Sequence, residues 1–70
     1  MTEVLSPIFG QLGLVHVEDG AVVAEGDELG EIEAMKMYTR FFAPTSGTLT
    51  WVVELGEIVG EGDVVAEINP

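Results

Sequence analysis

Gly20-Ala21-Val22-Val23-Ala24-Glu25-Gly26-Asp27-Glu28-Leu29-Gly30-Glu31-Ile32 returns at an offset of 36 as Gly56-Glu57-Ile58-Val59-Gly60-Glu61-Gly62-Asp63-Val64-Val65-Ala66-Glu67-Ile68. The leading glycine, the Glu-Gly-Asp triplet and the closing Glu-Ile coincide. Upstream, Pro7, Gly10, Leu12 and Val15 match Pro44, Gly47, Leu49 and Val52 at an offset of 37, so the first half carries one extra residue before Gly20. The chain is two similar halves. A unit this short buries no apolar face alone, so the halves are expected to pack on each other about a pseudo-two-fold axis.

Each half alternates short Val, Leu, Ile and Thr runs with Gly, Asp and Pro, the pattern of an all-β sandwich or barrel. The spacing predicts strands at Glu3–Leu5, Gly10–Val17, Ala21–Val23, Glu28–Glu33, Tyr38–Phe42, Gly47–Val53, Glu57–Val59 and Val64–Ile68. In Gly47–Val53, Leu49, Trp51 and Val53 point one way and Thr48, Thr50 and Val52 the other. Leu29 and Ile32, like Val65 and Ile68, are three apart, which marks either a bulge or a strand covered on both faces. Gly26 and Gly62 are expected at turn positions with positive φ. A phosphate cradle at these glycines would need a following helix, and the chain has no helical period.

Seventy residues are expected to make one domain, 1–70, that buries only about 60% of its unfolded surface, too little for a large catalytic cleft. Without cysteine there is neither disulfide nor zinc-thiolate cluster. A net charge of -11 argues against nucleic acid and anionic membranes. No apolar run approaches the roughly 18 residues of a membrane span, and Met1-Thr2-Glu3-Val4 lacks the basic start of a signal peptide. The expectation is a soluble protein of the cytoplasm, or of an organelle matrix within a longer chain. Its 47% hydrophobic content is too high for disorder.

The single lysine stands near the midpoint, in Glu33-Ala34-Met35-Lys36-Met37. Only Ala34 to Met37 remain to reverse the chain between the fourth and fifth strands, so Lys36 is predicted in a tight, solvent-exposed hairpin. No Asn-Gly or Asp-Gly pair specifies the turn type. Met35 and Met37 are flexible and polarisable, suited either to partner contacts or to packing at the sheet edge. The pseudo-symmetry puts the termini at the end of the domain opposite Lys36.

At these residues the sequence resembles the biotinyl domain of biotin-dependent carboxylases, decarboxylases and transcarboxylases, a relative of the lipoyl domain. Glu33, Ala34, Met35, Lys36 and Met37 match the family's attachment motif, and Ala43-Pro44-Thr45-Ser46-Gly47-Thr48 also looks like the family. Lys36 lies 34 residues before Pro70, as is usual there. The resemblance implies a flattened β-barrel, or barrel-sandwich hybrid, of two four-stranded sheets, thumbless because no extra loop fits. It implies that Lys36 receives covalent biotin while Glu33, Ala34, Met35 and Met37 form the recognition motif. The implied role is a non-catalytic, monomeric carrier, modified by biotin protein ligase, that moves a carboxyl group as carboxybiotin between a biotin carboxylase and a carboxyltransferase. Ser6-Pro7-Ile8-Phe9-Gly10 departs from the more usual Ala-Pro-x-Pro-Gly, and Tyr38-Thr39-Arg40 departs from the residues common after the motif.

Two alternatives stand beside it: a lipoyl carrier in acyl or methylamine transfer, whose motif usually reads Asp-Lys-Ala, and an unmodified interaction module of the same fold. His16 is expected at a strand end, since a lone histidine makes a poor metal site. Phe9, Phe41, Phe42 and Trp51 are expected to pack in the core or on a sheet face. Arg40 is expected to pair with a carboxylate such as Glu33. Glu18-Asp19 and Glu25/Asp27/Glu28 lack the spacing of a calcium loop and are expected to form a solvated acidic face.

Overall fold

A computed structural model describes all residues, Met1–Pro70, and contains eight strands and no helix. They are β1 (Thr2–Leu5), β2 (Gly10–Val15), β3 (Val22–Val23), β4 (Glu28–Ala34), β5 (Met37–Phe42), β6 (Gly47–Trp51), β7 (Ile58–Val59) and β8 (Val64–Asn69). All eight expected strands are present, with β2 and β6 two residues shorter than the pattern suggested. The strands form two four-stranded antiparallel sheets, ordered β1-β8-β6-β3 and β5-β4-β2-β7.

Every strand sends at least one side chain into the shared core, whose fully buried members include Leu12, Leu29, Ile32, Leu49, Val65 and Ile68. Each such side chain contributes about 1.5–3 kcal/mol of burial. In β6 Leu49 is buried while Thr48 and Thr50 face solvent, as the alternation required. The irregular spacing in β4 is a bulge. Glu28 pairs Phe42 and Gly30 pairs Phe41, which leaves Leu29 as the extra residue. β8 repeats the device, because Val64 pairs Leu5 and Ala66 pairs Val4 with Val65 left over. Each bulge lets two residues three apart face the core together.

The backbone hydrogen bonds come in matched sets. Gly20 N donates to Leu49 O (2.7 Å) and Gly56 N to Leu12 O (2.8 Å); Gly26 N donates to Ala43 O (2.8 Å) and Gly62 N to Ser6 O (2.9 Å). Asp27 and Asp63 accept from Ala24 N and Gly60 N at 2.8 and 2.7 Å, and Gly26 and Gly62 carry φ of 90° and 86°. The Glu-Gly-Asp triplets are therefore turn devices whose glycines supply the left-handed backbone. The extra residue of the first half is Gly13: Leu12 pairs Ile32 and Leu14 pairs Glu31, whereas Leu49 and Thr50 pair Ile68 and Glu67 without a gap. This corrects the sequence alignment at one point. The structural counterpart of Val15 is Trp51, not Val52.

The register also fixes where the ends lie. Gly10 adjoins Glu33 so closely that a β-carbon there would sit 2.5 Å from the Glu33 carbonyl oxygen. Val59 pairs Gly10, the chain turns through Gly60–Asp63, and β8 then leaves that end for about 20 Å, at roughly 3.3 Å per residue. β1 runs beside it in reverse, Thr2 against Ile68. Met1 and Pro70 therefore occupy the end of the 34 Å long axis opposite the β4–β5 hairpin.

Candidate functional site

The β4–β5 ladder runs from Glu28 opposite Phe42 to Ala34 opposite Met37, leaving Met35 and Lys36 as a two-residue loop. Both adopt positive φ, 51° and 66°, as a type I′ hairpin turn demands. Asn-Gly would enter this turn easily, while each side chain present here is destabilised by roughly 1–3 kcal/mol. The ladder behind the turn holds it in place. No local turn signal accounts for Met35 and Lys36 at these positions.

Lys36 is exposed and takes part in no ion pair or side-chain hydrogen bond. Its amine is free for an acyl group, on a stem that reaches clear of the sheet. Met35 and Met37 are 95% and 71% exposed, so neither packs against the sheet edge. Glu33 and Ala34 are half-buried. Glu33 pairs with Gln11 on one side and Tyr38 on the other, which anchors the base of the hairpin between two neighbours.

Beside the hairpin lies a shallow cleft of about 350 Å³, lined by Phe9, Gln11, Glu33, Ala34, Met35 and Ile58 together with Gly10. Phe9, Gln11 and Ile58 were not singled out by sequence as site residues. Phe9 corrects the expectation of packing, because it stands in the irregular Ser6–Phe9 link, outside any ladder, and is 67% exposed. Phe42 is also exposed, since strand alternation turns it outward once Phe41 points in. Phe41 and Trp51 do pack as expected, and Trp51 Nε1 donates to Val17 O at 3.0 Å.

Arg40 pairs with Glu28 (Nη1 to Oε1, 3.3 Å), not with Glu33. The Leu29 bulge turns Glu28 to Arg40's face, while Glu33 stands two positions nearer the hairpin, opposite Tyr38. His16 follows the last residue of β2, and its Nε2 lies 2.9 Å from Glu31 Oε2 and 3.1 Å from Glu28 Oε2. Among the acidic clusters, Asp19 accepts from Trp51 N (2.6 Å) and Asp27 from Ala24 N, so both serve as turn and loop acceptors.

Residues 2–68 match the model of the family described as "Biotin-requiring enzyme". The chain is 44% identical over 65 residues to the mitochondrial propionyl-CoA carboxylase alpha chain of Homo sapiens, covering 91% of this chain and 9% of that one. It is 34% identical over 60 residues to acetyl-CoA carboxylase of Dictyostelium discoideum, covering 86% of this chain and 3% of that one. The urea carboxylase of Kluyveromyces lactis superposes with a TM-score of 0.85 at 31% identity, over 96% of this chain and 6% of that one. The chain thus spans less than a tenth of these large relatives, in the region of their biotinyl domain. A protein described as succinylglutamatedesuccinylase/aspartoacylase from Rhodobacter sphaeroides shares the fold at 22% identity and a TM-score of 0.77. With a family match over nearly its full length and the paired four-stranded sheets that go with it, this chain belongs to the biotinyl and lipoyl attachment domain family described as "Biotin-requiring enzyme".

Proposed function

We propose that the domain is a carboxyl carrier whose Lys36 bears covalent biotin, and that it is not itself catalytic. The observation that supports this most is Lys36: an unpartnered amine at the tip of a hairpin whose backbone departs from what local stability favours. Attachment condenses Lys36 Nζ with a biotin carboxyl group that the ligase activates at the expense of ATP: the C–N amide bond forms as the activated carboxyl's C–O bond breaks, the amine gives up its protons, and the lysine charge is removed. Bound biotin supplies a ureido nitrogen able to accept and release a carboxyl group. The chain's own residues hold and present it. The β4–β5 ladder keeps Lys36 at one end of the long axis, and Met35 and Met37 offer adaptable apolar contacts beside it.

The partners of this reading are a biotin protein ligase, a biotin carboxylase and a carboxyltransferase. A tethered arm raises the local concentration of its cargo at each active site that the domain visits. The Ala34-Met35-Lys36-Met37 surroundings favour biotin over lipoate. Incubation with biotin, ATP and biotin protein ligase should add one biotinyl mass to the intact protein and none to Lys36→Ala. Lipoyl ligase labelling without biotin labelling would transfer the role to a lipoyl carrier, and a cell-derived chain that is never acylated would leave an interaction module.

A further inference from the structure

Glu28 and Glu31 are three apart on β4, a spacing that in a regular strand puts side chains on opposite faces. The extra residue Leu29 restores parity, so both carboxylates lie on the outer face while Leu29 and Ile32 enter the core. His16 N donates to Leu29 O at 2.9 Å, which fixes the histidine beside this bulge. Its Nε2 then lies within 3.1 Å of a carboxylate oxygen from each glutamate. One imidazole nitrogen and two carboxylate oxygens lie within 4.8 Å of one another.

The second half builds the same corner without these groups. Val52 N donates to Val65 O at 2.9 Å beside the matching bulge, and the counterparts of His16, Glu28 and Glu31 are Val52, Val64 and Glu67. The fold therefore requires neither the histidine nor Glu28. Glu28 divides its carboxylate, giving Oε1 to Arg40 and turning Oε2 toward the ring.

We infer that His16, Glu28 and Glu31 form a binding site for a divalent transition metal ion of the zinc class, separate from the Lys36 hairpin. Bond lengths of about 2.0–2.2 Å to nitrogen and oxygen donors place tetrahedral ligand atoms about 3.3 Å apart, close to the histidine–carboxylate separations here. The mixed nitrogen and oxygen set suits zinc, cobalt or nickel, with the fourth position open to water. Calcium and magnesium are hard ions that take oxygen ligands, so the imidazole nitrogen at the centre of this set counts against them. The ion relieves repulsion between two glutamates whose carboxylates both approach the His16 ring.

The test is titration of the metal-free chain with Zn²⁺ and Co²⁺, followed by calorimetry, by the visible absorption of Co²⁺ and by NMR of the His16 ring. One-to-one binding is expected, with the His16 signals shifting. His16→Val should weaken it at least about tenfold, as should the pair Glu28→Gln and Glu31→Gln. The repeat carries valine at the position equivalent to His16, so His16→Val should stay folded, and its thermal unfolding without metal checks this. Glu25→Gln with Glu61→Gln changes net charge equally and should bind as the parent does. Equal binding by His16→Val, equal weakening by the Glu25/Glu61 pair, displacement by equimolar Ca²⁺, or no saturable uptake would each overturn the site.

Discussion

Phe41 meets Trp51 edge to face, with ring centroids 6.0 Å apart and planes at 86°. The contact joins β5 of one sheet to β6 of the other, and Trp51 Nε1 adds a hydrogen bond to Val17 O. Phe41 is buried, so Phe41→Ala removes a core ring and should destabilise the domain by about 3–5 kcal/mol. Trp51→Phe keeps an aromatic ring in place but loses the indole hydrogen bond, at roughly 1 kcal/mol. Urea unfolding followed by circular dichroism measures both, and the larger loss should belong to Phe41→Ala.

The two Glu-Gly-Asp turns provide an internal comparison. A β-carbon on Gly26 or Gly62 meets nothing within 4 Å, yet φ is 90° and 86°. Gly26→Ala and Gly62→Ala should therefore each destabilise by about 1 kcal/mol, through backbone strain alone. At Gly10 the added carbon would press on the Glu33 carbonyl. Gly10→Ala should lose clearly more than either turn glycine, toward the upper end of about 1–3 kcal/mol, and loosen the β2–β4 pairing next to the hairpin. Similar losses at all three positions would sink the distinction, and amide exchange at Gln11 and Glu33 would locate the loosening.

The strands, the two-fold and the position of Lys36 were legible because each rests on local pattern: alternation in β6, glycine in the turns, and only Ala34 to Met37 left between two runs. The place of the extra residue was not, because Gly13 and the Val15–His16 stretch read equally well in either alignment until cross-strand pairing separates them. Phe42 took the sheet-face place rather than the core, whereas Phe9 was misjudged because hydrophobicity does not reveal which side of an irregular link a ring occupies. The meeting of His16, Glu28 and Glu31 was hidden for the same reason. It depends on a bulge whose presence only the pairing of β4 with β5 settles.

A net charge of -11 on 70 residues makes self-repulsion a measurable term. Only Lys36 and Arg40 oppose thirteen acidic groups, and Arg40 is engaged with one of them. The melting temperature should therefore rise by several degrees from low salt to about 0.3 M, where the Debye length is shorter than roughly 10 Å. Potassium chloride and sodium chloride should act alike, since the effect is screening. A melting temperature that falls with salt would show that attractive pairs outweigh the repulsion.

The hairpin itself carries the most direct test of whether Lys36 is held for function rather than stability. Its φ of 66° lies where glycine is at ease and a lysine is not, and its exposed side chain makes no ion pair or hydrogen bond that would offset the strain. Lys36→Gly should stabilise the domain by about 1 kcal/mol, because relief of strain exceeds the added freedom of the unfolded chain. The same variant should take no biotin from the ligase. Lys36→Ala keeps a β-carbon at the strained position, so it should lose labelling with little change in stability. Denaturant midpoints for the two variants, set beside their intact masses, separate the contributions: destabilisation by Lys36→Gly would mean that the lysine supports the turn.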